Sequence, residues 1–109
     1  MKTSEVLRAA RAKIEVPERW TKRMFARDKE RCRVVSWSTF AVCWCGQGAN
    51  HAVVGPAGDW GDPDKALDEA VGGNFPDWQD DLQGTHVEAH AEVLAAFDKA
   101  IAEREAVGD

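Results

Sequence analysis

Phe40-Ala41-Val42-Cys43-Trp44-Cys45-Gly46-Gln47-Gly48-Ala49 joins six apolar residues to a pair of glycines, and helix and strand readings of the chain part company here. Six consecutive apolar residues belong in a core in either conformation, and over so short a run periodicity does not separate buried helix from buried strand. Ser38-Thr39 just before Phe40 offers oxygens for a helix N-terminus. Gly46 and Gly48 pull the other way, each weakening a helix by about 1 kcal/mol relative to Ala.

On the N-terminal side, Val6, Leu7, Ala10 and Ile14 recur at helical spacing behind the cap candidates Thr3 and Ser4, and Pro17 ends the run. A basic amphipathic helix is expected there. From Arg23 to Trp37 the period shortens: Cys32 and Val34 alternate with Arg31 and Arg33 after Asp28-Lys29-Glu30, the pattern of a short β-hairpin.

On the C-terminal side, Gly55 to Gly61 reads as a loop, and Asp62-Pro63 as an N-cap and first helical position for a short helix ending near Val71 at Gly72-Gly73. Asn74 to Gly84 reads as irregular, anchored by Phe75, Trp78 and Leu82. Thr85-His86-Val87-Glu88 then fits a capping box, with Val87, Ala91, Leu94, Phe97 and Ile101 as the apolar stripe of a long helix. The expected fold is α+β and helix-dominated: one compact domain over residues 1–109, with about four helices and one short β-hairpin.

A chain of 109 residues with 44% hydrophobic content can bury a sufficient core without disulfides. Three cysteines, an odd number, argue against a secreted disulfide framework. The N-terminus has no apolar signal region and no run is long enough to span a membrane, so a cytoplasmic protein is expected. Charge is divided unevenly. Residues 1–33 carry eleven Lys and Arg against five acids, and residues 34–109 carry three against fourteen, giving +6 and −11. In so small a domain, the first expectation is that the two halves neutralise each other.

Several segments resemble a family of small, uncharacterised bacterial and phage proteins: Pro17-Glu18-Arg19-Trp20-Thr21 with Phe25-Ala26-Arg27-Asp28, Ala41 to Cys45 with Gly48-Ala49, Trp78-Gln79-Asp80, and Glu92 to Ile101. The chain departs from that pattern at Lys22-Arg23 and at Gln79. The resemblance implies a mainly helical domain in which the Trp44-Cys45 segment is a buried helix, and in which Gly48-Ala49 lets another element approach closely. It implies no chemistry.

Among candidate sites, Cys32, Cys43 and Cys45 with His51 have zinc-ligand chemistry. In a helix, however, Cys43 and Cys45 would point about 200° apart, so burial as small apolar residues is preferred. Cys45 beside Gly46-Gln47-Gly48 could be a nucleophile, but apolar neighbours disfavour its thiolate. His86 and His90, one turn apart, are weak candidates for a shared metal, and His90 on the apolar face reads better as a hydrogen-bonded core residue. Arg8, Arg11, Lys13, Arg19, Lys22, Arg23 and Arg27, with Trp20 and Phe25 for stacking, could meet nucleic acid, although the acidic remainder opposes a polyanion.

The reading that results is a non-enzymatic accessory or regulatory protein of a bacterium or phage, without a cofactor. It is expected to contact a protein partner with a basic surface through Trp60, Asp62, Trp78, Asp80 and Asp81, because Trp is enriched at interface hot spots. A homodimer is compatible with this reading. A nucleic-acid-binding regulator is the second expectation, and a cysteine- or metal-dependent enzyme the third.

Overall fold

The computed structural model describes residues 1–109. Helix α1 (Thr3–Lys13) is followed by a 3-10 turn at Pro17–Arg19, two short strands β1 (Ala26–Arg27) and β2 (Cys43–Trp44), and four helices: α2 (Gly46–Val54), α3 (Gly61–Val71), α4 (Phe75–Asp80) and α5 (His86–Ala106). The expected α+β, helix-dominated architecture is present. α1 packs on α2 and α5, and α3 packs on α5. One core runs through them, from Leu7, Ile14 and Trp20 to Leu67, Phe75, Val93 and Phe97.

Phe40 to Cys45 is not a helix. β2 pairs antiparallel with β1, Ala26 opposite Trp44 and Arg27 opposite Cys43. The run obeys a period of two: Cys43 and Cys45 point inward, whereas Val42 is 46% and Phe40 75% exposed. The hydroxyl of Ser38 accepts from the Phe40 N–H and so stabilises a turn instead of a helix start. The helix begins after Cys45, whose sulfur accepts from the Gly48 N–H at 3.3 Å as its N-cap.

The glycines explain that start. A Cβ at Gly48 would stand 1.8 Å from the carbonyl oxygen of Phe25, so the expected close approach at Gly48 is made by the backbone entering β1. A Cβ at Gly46 would meet the Phe75 ring at 2.5 Å. Their cost in helix propensity is the condition for packing two other segments on the first turn of α2.

The hairpin expected over Arg23–Trp37 closes as a single bridge between Arg27 and Arg33. Asp28 Oδ1 accepts the N–H groups of Glu30 and Cys32 in its turn. β1 therefore lies between β2 and the segment around Arg33.

Four further details differ from expectation. Thr3 and Ser4 lie inside α1 and do not cap it; Asp109 accepts their N–H groups, and Glu5 accepts that of Lys2. α3 starts at Gly61, whose N–H is held by Asp59 at 2.8 Å, and Asp62 sits in the first turn without capping it. Residues 75–80 form a helix within the segment expected to be irregular, because Asn74 caps it through the Asp77 N–H and Asp68 accepts the Phe75 N–H. On α5 the capping box is present, but the buried stripe is Ala89, His90, Val93, Ala96, Phe97, Ala100 and Ile101. Val87 is 61% exposed, since three alanines let α5 lie close to its neighbours and turn that face inward.

Two ion pairs make a seam across the charge divide. Arg8 on α1 reaches Glu105 on α5 at 2.8 Å, and Arg11 reaches Asp98 at 2.7 Å. On the acidic side, Arg104 meets Glu69 at 2.6 Å.

Candidate functional site

A groove of about 500 Å³ lies between the segments around Arg23–Phe25 and Arg33–Val35 on one side and α4 on the other. Met24, Phe25, Val34 and Val35 give it apolar walls, Pro76 and Asp80 form the α4 side, and Cys45 and Gln79 also line it. A volume of this size is typical of sites that take a small ligand or a few side chains.

Arg23 adopts a left-handed backbone conformation, φ 70°, which is uncommon for a residue with a Cβ. It is held there by Asp80, whose carboxylate accepts the Arg23 N–H at 3.0 Å. Lys22 is fixed on the same side by a 2.7 Å bond from its ammonium to the carbonyl of Leu82. The loop is thus clamped to α4 through Asp80 and to the segment after it through Leu82, and the guanidinium of Arg23 remains unengaged. None of the ion pairs in the molecule involves Arg23 or Arg33.

Beside the groove runs a row of aromatic rings. Trp37 lies 5.7 Å from Trp60, Trp60 stacks on His51 at 4.2 Å, and His51 meets Phe25 at 4.9 Å. His51 is buried and bonded to Asp64 at 2.7 Å, and Asp64 also accepts from Asn50 at 3.0 Å. A His–Asp pair is the arrangement of a general base, but here Phe25 and Trp60 cover the imidazole. Asp64 thereby fixes the His51 ring within the aromatic row.

The other candidate residues have structural tasks. Cys43 and Cys45 are buried and Cys32 is exposed. Burial pushes the Cys45 thiol up to about 11, against hydrogen bonds from Gly48, Gln79 and Gln47, so a nucleophilic thiolate is disfavoured. His86 bonds the carbonyl of Pro17 at 2.7 Å and His90 that of Ile14 at 2.6 Å. The imidazoles thereby tie α5 to the end of α1 and to the 3-10 turn, with their rings 5.1 and 6.2 Å from the Trp20 indole. No three His, Cys, Asp or Glu side chains converge anywhere in the chain.

Trp60 and Asp62 lie at the start of α3, while Trp78, Asp80 and Asp81 lie on and just after α4. Phe25 stands between the two sets, meeting His51 on one side and lining the groove with Asp80 on the other. Trp60 is half-buried with its indole N–H on the carbonyl of Gly55, and Trp78 is half-buried against Phe75. Of the basic and aromatic set, Trp20 is 1% exposed and cannot stack on a ligand, and Arg27 folds back onto Thr21, Lys22 and Arg31.

A family model of unknown function, DUF6197, matches residues 1–103. The chain belongs to the DUF6197 family. No curated protein and no solved structure matches it. For this DUF6197 chain the groove and the aromatic row are accordingly read from their own chemistry. Val35 was not singled out in the sequence, and Arg33 and Gln79 were noted only as part of a strand alternation and as a departure from the family pattern, because the groove exists only when α4 closes on the 23–35 segment. Arg23 and Phe25 were visible as a basic residue beside an aromatic one. Nothing in the spacing of His51 and Asp64 announced their pairing.

Proposed function

We propose that this protein is a non-enzymatic accessory or regulatory module of a bacterium or phage, acting by protein contact through the face formed by residues 23–42. One observation carries the reading: five of its nine exposed large hydrophobic residues, Phe25, Val35, Trp37, Phe40 and Val42, fall in that segment. Apolar side chains concentrated on one exposed segment are a feature of interaction sites. Trp37, 40% exposed and tilted against Trp60 at 5.7 Å, fits the anchor role expected of an aromatic at such a site. The covered imidazole of His51 and the raised thiol of Cys45 support the non-enzymatic reading. The bacterial or phage setting rests on the sequence resemblance. A helix long and apolar enough to cross a membrane is absent.

The test is photocrosslinking in cells that express the protein, with Phe40→benzoylphenylalanine and, as a control of similar exposure, Val87→benzoylphenylalanine. The expected result is a discrete protein adduct at position 40, none at 87, and loss of the adduct on Trp37→Ala. No adduct at 40, or a nucleic-acid adduct there, overturns the reading.

A second reading follows from the acids that no internal bond engages. The carboxylates of Asp77 and Asp81 are exposed at the two ends of α4, and they offer a basic partner a route past Trp78 and Asp80. Asp77→Lys with Asp81→Lys abolishes the adduct under this reading and leaves it unchanged under the first.

A further inference from the structure

The geometry points to the chemistry of the partner: an extended peptide segment, acidic and apolar in alternation, that adds as a strand to the Arg33–Val35 edge and places apolar side chains in the groove. This rests on the protein-contact reading and goes beyond it in naming the ligand.

The first observation is the state of the backbone. Val34 gives its N–H to Ala26 at 3.1 Å, and Asp28 gives its N–H to Cys32 at 2.9 Å, so alternate groups of this segment face β1. In an antiparallel ladder, the intervening residue turns its N–H and C=O to the other side. Neither the N–H of Arg33 nor that of Val35 has a partner in the molecule, whereas the Val35 carbonyl is taken by Ser38. β1 is already paired on both sides, through β2 and the Arg33 bridge, which leaves the outer side of residues 33–35 as the open edge. Strand addition to such an edge supplies main-chain bonds, while pockets for alternate side chains supply specificity.

The second observation is the adjoining groove. Arg33, Val34 and Val35 line it, and so does Arg23. Met24, Phe25, Val34 and Val35 are its apolar walls, its one carboxylate, Asp80, already accepts the Arg23 N–H, and its two guanidinium groups have no ion pair, so a segment carrying carboxylates beside apolar residues satisfies both walls and guanidinium groups. The same charges decide against a second copy of this chain as occupant. Pairing two such edges would bring Arg33 and its neighbours Arg31 and Lys29 against their own copies, the like-charge arrangement that sheet edges use to prevent self-association.

The experiment measures fluorescence anisotropy of the full chain with three labelled, acetylated hexapeptides: alternating Asp and Leu, alternating Lys and Leu, and the Asp/Leu peptide N-methylated at alternate residues. The Asp/Leu peptide is expected to bind at least about tenfold more tightly than either of the others. Arg23→Glu with Arg33→Glu, checked for unchanged circular dichroism, is expected to reverse the preference between Asp and Lys peptides. Equal binding of the Asp and Lys peptides, undiminished binding of the N-methylated peptide, or binding of none of them overturns the proposal. So does a dimer in sedimentation whose Arg33 and Val35 amides are protected from exchange without peptide. If the peptides fail while the adduct at position 40 persists, the strand-addition proposal is lost and the protein-contact reading stands.

Discussion

Trp20 donates its indole N–H to Gln79 Oε1 at 3.0 Å, and the same oxygen accepts the backbone N–H of Gly46 at 2.9 Å. Both side chains are 1% exposed, so one amide oxygen joins the segment after α1, the start of α2 and α4 inside the core. Removing it leaves two buried donors without an acceptor, at about 1–3 kcal/mol each. Gln79→Leu is therefore expected to lower unfolding free energy by about 3 kcal/mol in urea titration. Trp20→Phe, which removes one of the donors, should make the effect of Gln79→Leu smaller in the double variant. Additive losses would show that the bond does not couple the two residues.

The glycines separate into those that admit a neighbour and those that do not. Gly48→Ala places a methyl group inside the Phe25 carbonyl and should cost about 3 kcal/mol or more, or prevent folding. Gly73 has open space around its Cβ position, so Gly73→Ala should be neutral or stabilise by about 0.5 kcal/mol. Thermal unfolding of the two variants side by side checks the contrast.

The Cys45 thiol gives a pH dependence whose sign is fixed by burial. Its folded value is raised from 9.0 to about 11, so above pH 9 the unfolded chain releases a proton that the folded chain retains. Stability from this group is full below about pH 9 and declines as pH rises to about 11, by roughly 2–3 kcal/mol in total. Cys45→Ala should remove that part of the slope. Below pH 9 only Cys32 should react quickly with a thiol reagent, since Cys43 and Cys45 are buried.

Asp64 holds two partners at once, His51 at 2.7 Å and Asn50 at 3.0 Å. Asp64→Ala leaves the amide of fully buried Asn50 unpaired and frees His51 beneath Trp60, with an expected loss of about 2 kcal/mol. Because Trp60 stacks on His51, tryptophan emission should shift in the folded variant. An unchanged spectrum would mean that the aromatic row does not depend on Asp64.

The parts of the fold that could be read from the sequence were those with local causes. α1 and α5 declared themselves by period, and α5 also by the Thr85–Glu88 capping box. What could not be read depended on distant partners. Phe40 to Cys45 is extended because β1 pairs with it, and its inward positions are the cysteines, not the larger Phe40 and Val42. The buried face of α5 is decided by alanines, whose value lies in letting helices approach, which a search for large apolar residues passes over. The groove drew Arg23, Phe25 and Asp80 from the sequence as separate candidates; their assembly required the left-handed turn at Arg23 and the clamp to α4.

The seam between α1 and α5 also bears on how the chain reaches this structure. Arg8–Glu105 and Arg11–Asp98 join residues 97 and 87 positions apart, and contacts of such separation slow folding because the intervening chain must be closed first. During synthesis, α1 emerges as a basic amphipathic helix and remains without one of its two main packing partners until α5 is made, α2 being the other. Folding should therefore be completed in one late step, and protease resistance in a series of lengthening nascent chains is expected to appear only after Phe97 and Ile101 have been added.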